Sequence, residues 1–181
     1  AEVTFDNYYG EHKLKIKRKS IESKMKKEIS LDENIIKAKE HYGTLNVVMF
    51  SPEDLQIVKG EPALRRRFLD MEIAQTNRYY YSLLVKYNRV LQQRNKLLKD
   101  GRENVLDLSI LEVWDNEMAV LAAQLLSIRL KVLEKINTIA GNIYKEITKQ
   151  REELVINYEL KANSSTIICS KEQSTENWKE W

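Results

Sequence analysis

The 181-residue sequence is poor in the residues that build disulfides, metal sites and tight turns. Its one cysteine, Cys169, cannot close a disulfide within the chain, and its two histidines, His12 and His41, are far apart with no metal-ligand spacing. A reducing, cytoplasmic setting fits that usage. Five glycines and two prolines are too few for the many turns of a β-sandwich, so an all-β fold is excluded and long uninterrupted helices are expected. No run approaches the ~20 consecutive apolar residues of a membrane span, and the opening Ala1-Glu-Val-Thr-Phe-Asp6 lacks the charged-then-apolar layout of a signal peptide. An excess of one charge is also missing. Thirty Lys+Arg against 27 Asp+Glu leave +3, so any affinity for nucleic acid has to come from local clustering.

The motifs of common enzymes are absent too. The glycines at 10, 43, 60, 101 and 141 are scattered and none forms Gly-x-x-x-x-Gly-Lys-[Ser/Thr], so this chain has no phosphate loop. There is no Gly-x-Ser-x-Gly elbow, no histidine near Cys169 and no His-Glu-x-x-His helix, and an intact catalytic site within these residues is not expected. The sequence lacks an initiator Met, and its tail, Glu176-Asn-Trp-Lys-Glu-Trp181, reads as an amphipathic helix that opens and does not proceed. The expectation is a piece of a longer protein.

What is present is a composition of 43% apolar and 31% charged residues, which suits a folded domain. From Val3 to Ile29 the apolar residues alternate with polar ones (Val3, Phe5, Leu14, Ile16, Met25, Ile29), and Asn7-Tyr-Tyr-Gly10 supplies a turn, so an antiparallel meander is predicted. Asp32 to Tyr42 has a helical tone with Gly43 as its stop, and Leu45-Asn-Val-Val-Met-Phe50 reads as a strand buried on both faces. Ser51-Pro52-Glu53-Asp54 is a strong start for a short helix that Gly60 breaks. Pro62 opens another, predicted to run unbroken to Asp100-Gly101, with an apolar stripe at Tyr80, Leu83, Tyr87, Val90 and Leu97.

Beyond the loop at Gly101-Arg-Glu-Asn104, Asp107 caps a second long helix whose stripe is Leu111, Trp114, Met118, Leu121, Leu125, Ile128 and Val132. The two stripes predict an antiparallel helical hairpin. Leu154 to Leu160 alternates again and reads as a strand returning to the sheet. The predicted fold class is α+β, a partial and mostly antiparallel sheet carrying a helical-hairpin lobe. The expected divisions are 1–60 for the sheet portion, 61–151 for the helical lobe and 152–181 for the returning strand.

The densest signal is Pro52-Glu-Asp-Leu-Gln-Ile-Val-Lys-Gly-Glu-Pro-Ala-Leu-Arg-Arg-Arg-Phe-Leu-Asp70. Two helix starts with neighbouring arginines suit phosphate, which makes Lys59, Arg65, Arg66 and Arg67 candidates for contact with DNA. The alternative is a solvated helix face on which an arginine pairs with Asp70 or Glu72. Lys13, Lys15, Lys17, Arg18 and Lys19 are likewise either a wet strand edge or a DNA contact. Tyr79-Tyr80-Tyr81 point in three directions on a helix, which favours packing over base stacking. Cys169 is read as a small apolar side chain on a strand.

That segment closely resembles the signature Pro-Glu-x-x-x-Ile-Val-x-Gly-x-Pro-x-x-Arg-Arg-x-Phe-Leu-Asp of the RecF family, bacterial DNA replication and repair ATPases, with Glu61 where a small residue is more usual. Leu91-Gln-Gln-Arg-Asn-Lys-Leu97 and Val113-Trp114-Asp115 are similar to two further family segments on the helical lobe. The resemblance implies part of an SMC-like, ABC-type ATPase head, here without its Walker A loop, signature motif or Walker B strand. It places Ser51 and Glu53 near the nucleotide, at the Q-loop position, although the Q-loop glutamine has no counterpart in this sequence.

The resemblance further implies, for the intact protein, ATP and Mg as cofactors and an ATP-dependent homodimer. It implies binding to gapped, single-stranded or double-stranded DNA, partnership with RecR and indirectly RecO, and recombinase loading in recombinational repair and the SOS response. No cofactor, metal site or catalytic activity is expected of these residues alone. The competing expectation is a noncatalytic helical module that binds a protein partner.

Overall fold

Alternation at the start of the chain becomes a meander. The structure, a computed structural model, describes residues 2–7, 10–21, 24–37, 40, 42–102, 107–162 and 165–169. Strands β1 (Glu2–Asn7), β2 (Gly10–Ile21), β3 (Lys24–Leu31) and β4 (Asn34–Ile36) form one antiparallel sheet in sequence order. Register puts Val3, Leu14 and Leu31 in one row and Ile16, Ile29 and Ile36 in the next, all on one face, with Leu14 buried. On the other face Glu2 takes Lys13 Nζ at 2.7 Å and Lys15 Nζ at 2.5 Å, and these two ammonium groups lower the Glu2 carboxyl to about 2. Two of the five clustered basic residues of β2 are thus paired within the sheet.

The expected helix over Asp32 to Tyr42 begins instead as a β-hairpin. Leu31 pairs with Asn34 across a two-residue connection, and Asp32 and Glu33 both have positive φ, 49° and 70°, the twist that joins antiparallel strands without splaying them. Aspartate tolerates that conformation, and here its carboxylate is also used: it accepts from the Lys13 amide and pairs with His12 Nδ1, each at 2.7 Å. Both bonds hold the Asp32 carboxyl below its usual range, the His12 contact most strongly.

The run Leu45 to Phe50 forms no ladder among the described residues, so the predicted buried strand is corrected to an irregular segment that is exposed from Asn46 onward. Val48 is 96% and Phe50 83% exposed. A strand needs neighbouring backbone for its amides and carbonyls, whereas here the Val47 amide donates to a side chain, Gln75 Oε1, at 2.9 Å. Residues 42–47 are nonetheless anchored, because Arg78 Nε donates to the Tyr42 carbonyl at 3.0 Å and the Tyr42 ring stacks on Tyr81 with centroids 3.9 Å apart.

Helix α1 (Gln56–Lys59) follows a 3-10 turn at Pro52–Leu55, and α2 spans Pro62–Thr76. The helix predicted to reach Asp100 breaks at Asn77, whose φ of −133° and ψ of 96° leave the helical region. Asn77 closes α2 by donating its amide to Ile73 O, and caps α3 (Arg78–Asp100) by accepting the Tyr80 amide on Oδ1 at 2.9 Å. An asparagine offers that local alternative to the helix more readily than the surrounding residues, which is the signal the stripe concealed.

Helix α4 (Leu108–Ile147) is 40 residues long, about 60 Å, and Asp107 caps it as expected by accepting from the Ser109 and Ile110 amides. Leu83 and Val90 of α3 are buried, as are Leu121, Leu125, Leu126 and Leu130 of α4. Arg94 Nε donates to Asp115 Oδ1, joining the two helices. Arg94 lies six residues before the end of α3 and Asp115 seven after the start of α4, so the pair sits at matched heights above the connection and the hairpin is antiparallel.

Helix α4 ends in a Schellman turn, with Gln150 N to Lys145 O at 2.8 Å, Lys149 N to Glu146 O at 3.2 Å, and Lys149 at φ 53°. The chain then runs back along α4 in extended form. Tyr144 Oη donates to Glu152, Lys145 pairs with Glu153, and Arg129 Nη1 donates to Tyr158 Oη. Between them the Asn137 amide takes both backbone groups of Ile156 at 2.7 Å. Only at Tyr158 does a ladder begin, later than the predicted Leu154: β5 (Tyr158–Ala162) pairs with β6 (Ser165–Cys169) as a two-stranded sheet. The tail from Glu176 to Trp181 lies outside the described residues.

The α+β class and the antiparallel sheet are therefore as expected. The chain divides into two compact units, 1–81 and 82–181. Among the described residues no helix is long and apolar enough to cross a membrane. Because Leu121 is 8% exposed within the α4 seam, Leu121→Ala should lower the unfolding free energy by about 2–5 kcal/mol, whereas Lys96→Ala on the wet side of α3 should change it by less than about 0.5 kcal/mol. Denaturant titration of the two variants checks this.

Candidate functional site

The segment Phe50 to Asp70 is organised by its own caps. The Ser51 amide donates to Asp54 Oδ2 at 2.7 Å while the Asp54 amide donates to Ser51 O, and Pro52 fills the first helical position, where a missing N–H costs nothing. Glu53 is therefore left outward, and Ser51 is half-buried in the cap. At Gly60 a side chain has no room: an added Cβ would stand 2.6 Å from Gln56 O and 2.8 Å from the Leu64 side chain. That close approach folds α1 back on the first turn of α2, which Pro62 opens with Glu61 at the cap position.

The three arginines part company on α2. Successive helical positions are separated by 100°, so one anion cannot be met by all three. Arg65 Nη1 donates to Gly60 O at 2.9 Å and Ile57 O at 3.2 Å, satisfying carbonyls at the end of α1. Its partner is thus backbone rather than Asp70 or Glu72. Asp70 accepts the hydroxyl of Tyr80, and Glu72 accepts from Gln75 Nε2 at 3.3 Å. Arg66, Arg67 and Lys59 are exposed and make no ion pair with a described residue.

Arg67 lines an open groove of about 420 Å³ with Glu53 and Asp54 at its lip and Ile57, Leu64 and Phe68 among its apolar walls. Two carboxylates against one guanidinium, with no glycine-rich backbone, do not fit a triphosphate. Among the described residues this groove forms no nucleotide cradle, and no group of three metal-ligating side chains occurs there.

Of the tyrosine run, Tyr80 is fully buried and Tyr81 lies against Tyr42, where burial raises its phenol above the usual value. Tyr79 faces outward, and packing rather than base stacking occupies the other two. The bond from Tyr80 to Asp70 was not legible in the sequence, because it spans the break at Asn77. The Arg94–Asp115 pair was hidden differently: the two residues belong to separate motifs, 21 positions apart, and each is the other's partner.

No family model matches the chain. A RecF from Clostridium perfringens, named as a DNA replication and repair protein, is 46% identical over 134 residues, covering 74% of this chain and 36% of that protein. One from Halothermothrix orenii is 41% identical over 150 residues, covering 82% of this chain and 40% of the relative. A solved structure of the recombination mediator RecF with ATP, of the RecFOR pathway, superposes with a TM-score of 0.79 at 28% identity, covering 94% of this chain and 44% of that one. The chain belongs to the RecF family. It spans less than half the length of the RecF proteins it matches.

Among the three motif arginines, Arg65 is the one with a structural bond. Arg65 holds the α1–α2 corner, so Arg65→Ala should cost about 1–2 kcal/mol of stability by leaving two carbonyls without their charged donor. Arg66→Ala should be within about 0.5 kcal/mol of the parent, and paired chemical denaturation curves read the difference.

Proposed function

We propose that this chain is the DNA-contacting and nucleotide-coupled portion of a RecF-type repair ATPase, which in intact form binds gapped, single-stranded or double-stranded DNA in an ATP-dependent manner and helps load the recombinase. The observation that carries the reading is the joint match in sequence and fold: 46% identity to one RecF and a TM-score of 0.79 to another solved with ATP. The proposal includes ATP with Mg and an ATP-dependent homodimer, RecR and indirectly RecO as partners, and a cytoplasmic setting.

In this reading the turn at Ser51 and Glu53 lies near the nucleotide of the intact protein. The exposed Phe50 beside it and the α1–α2 corner behind it give that turn a mechanical path to α2. Lys59, Arg66 and Arg67 contact phosphate, and Arg65 keeps their corner in shape. A partner-binding module remains the second reading, favoured by Ile139, Ile143 and Ile147, which lie exposed at helical spacing on α4.

The test separates the two by salt. In the intact protein with ATP, replacing Lys59, Arg66 and Arg67 by Ala should weaken duplex binding alike across sequences and flatten its salt dependence by roughly one unit per lost contact. An unchanged slope would favour the protein-binding module. The 181-residue chain alone should neither bind ATP tightly nor hydrolyse it, and turnover by the purified chain would contradict the proposal.

A further inference from the structure

Charge on the helical hairpin is segregated in a way that the small net charge conceals. Helix α3 holds six basic residues and a single acid, Asp100, at its last position. Helix α4 holds five acids and four bases, with Glu112, Asp115 and Glu117 in its first ten residues. One cation of α3, Arg94, is taken by Asp115. Four others, Lys86, Arg89, Lys96 and Lys99, are exposed and bond to no described residue.

Helical spacing decides what those four share. At 100° per residue they fall within an arc of about 140° that begins about 40° from the buried Val90 and turns away from it and Leu83, and they extend about 20 Å along the axis. Gln92 and Gln93 lie exposed between them, and no carboxylate occurs from Arg78 to Lys99. A merely solvated helix face mixes acids with bases, because i,i+4 pairs then relieve like-charge repulsion. This face forgoes that relief, and its cations and amides are the donor types that phosphate oxygens accept.

We infer that the outward face of α3, Lys86, Arg89, Lys96 and Lys99, is a second nucleic-acid contact that follows the phosphate backbone of a DNA duplex. The inference rests on the reading of this chain as part of a DNA-binding protein, and it adds a surface separate from Lys59, Arg66 and Arg67. Charge complementarity selects a polyanion. Duplex rather than single strand is selected because the face carries no exposed aromatic ring between Ser82 and Lys99 on which a base could stack. A span of about 20 Å corresponds to roughly six base-pair steps of one strand, enough for several phosphates.

The experiment measures duplex and single-strand binding by the intact protein with ATP over a series of salt concentrations. The variant carries Lys86→Gln, Arg89→Gln, Lys96→Gln and Lys99→Gln, and a control removes two exposed α4 charges with Lys131→Gln and Lys135→Gln. The expected result is a duplex salt slope reduced by about 2–4 units and at least tenfold weaker binding at ~0.1 M salt, with an unchanged melting temperature and a smaller effect in the control. An unchanged duplex slope in a parent protein that does bind DNA would overturn the inference alone, as would a loss confined to single strands. Absence of DNA binding by the parent protein would overturn the underlying reading as well.

Discussion

The ion pair between Arg94 and Asp115 fixes the register on which the helical half of this chain depends. Each residue stands about 9–10 Å along its helix from the connection, so the pair sets the two helices side by side at matched height. Its energy is modest, since both groups keep partial contact with water, and an exposed pair of this kind contributes about 0.2–1 kcal/mol. Burial of leucines contributes more, about 1.5–3 kcal/mol for each side chain fully removed from water, but apolar contact is indifferent to small slips along the seam. The directional pair selects one alignment. With Leu83 and Val90 turned inward by that alignment and Arg94 taken by Asp115, the exposed Lys86, Arg89, Lys96 and Lys99 are left on the solvent side of α3.

Helix α4 is nearly twice as long as α3, and its far half is covered by the chain's own return. Asn137 makes this possible by offering Ile156 an acceptor and a donor at once, as a neighbouring strand would. Gly141 is buried nearby, and a Cβ there would come within 3.5 Å of Leu154 O. An extended chain rises about 3.3 Å per residue against 1.5 Å for a helix, so seven returning residues run alongside several turns of α4.

Legibility followed the strength of the periodic signal. The meander was readable because Val3, Leu14, Ile16 and Ile29 keep period two, and the hairpin because two heptad-like stripes flank a glycine loop. Two misreadings share a cause, which is that one polar side chain redirected the backbone. Asp32 turned an apparent helix into a hairpin, and Asn77 cut a helix whose stripe ran straight through it. Leu45 to Phe50 failed for another reason: the apolar run is strand-like, but strand pairing needs neighbours that no described residue supplies. At the candidate site, residue identity located Arg65, Arg66 and Arg67, while only the α1–α2 corner reveals that Arg65 serves backbone carbonyls. Asn137, an amide on α4 that is half-buried beside the return, was the missed clue to the returning chain.

The most direct test of this architecture is a double-mutant cycle on unfolding free energy with Arg94→Ala, Asp115→Ala and the double variant. The account predicts a coupling of about 0.5–1 kcal/mol that shrinks with added salt. Additive effects with no coupling would mean that the two helices are not held in the register described, and that the outward face of α3 is not the one assigned to it.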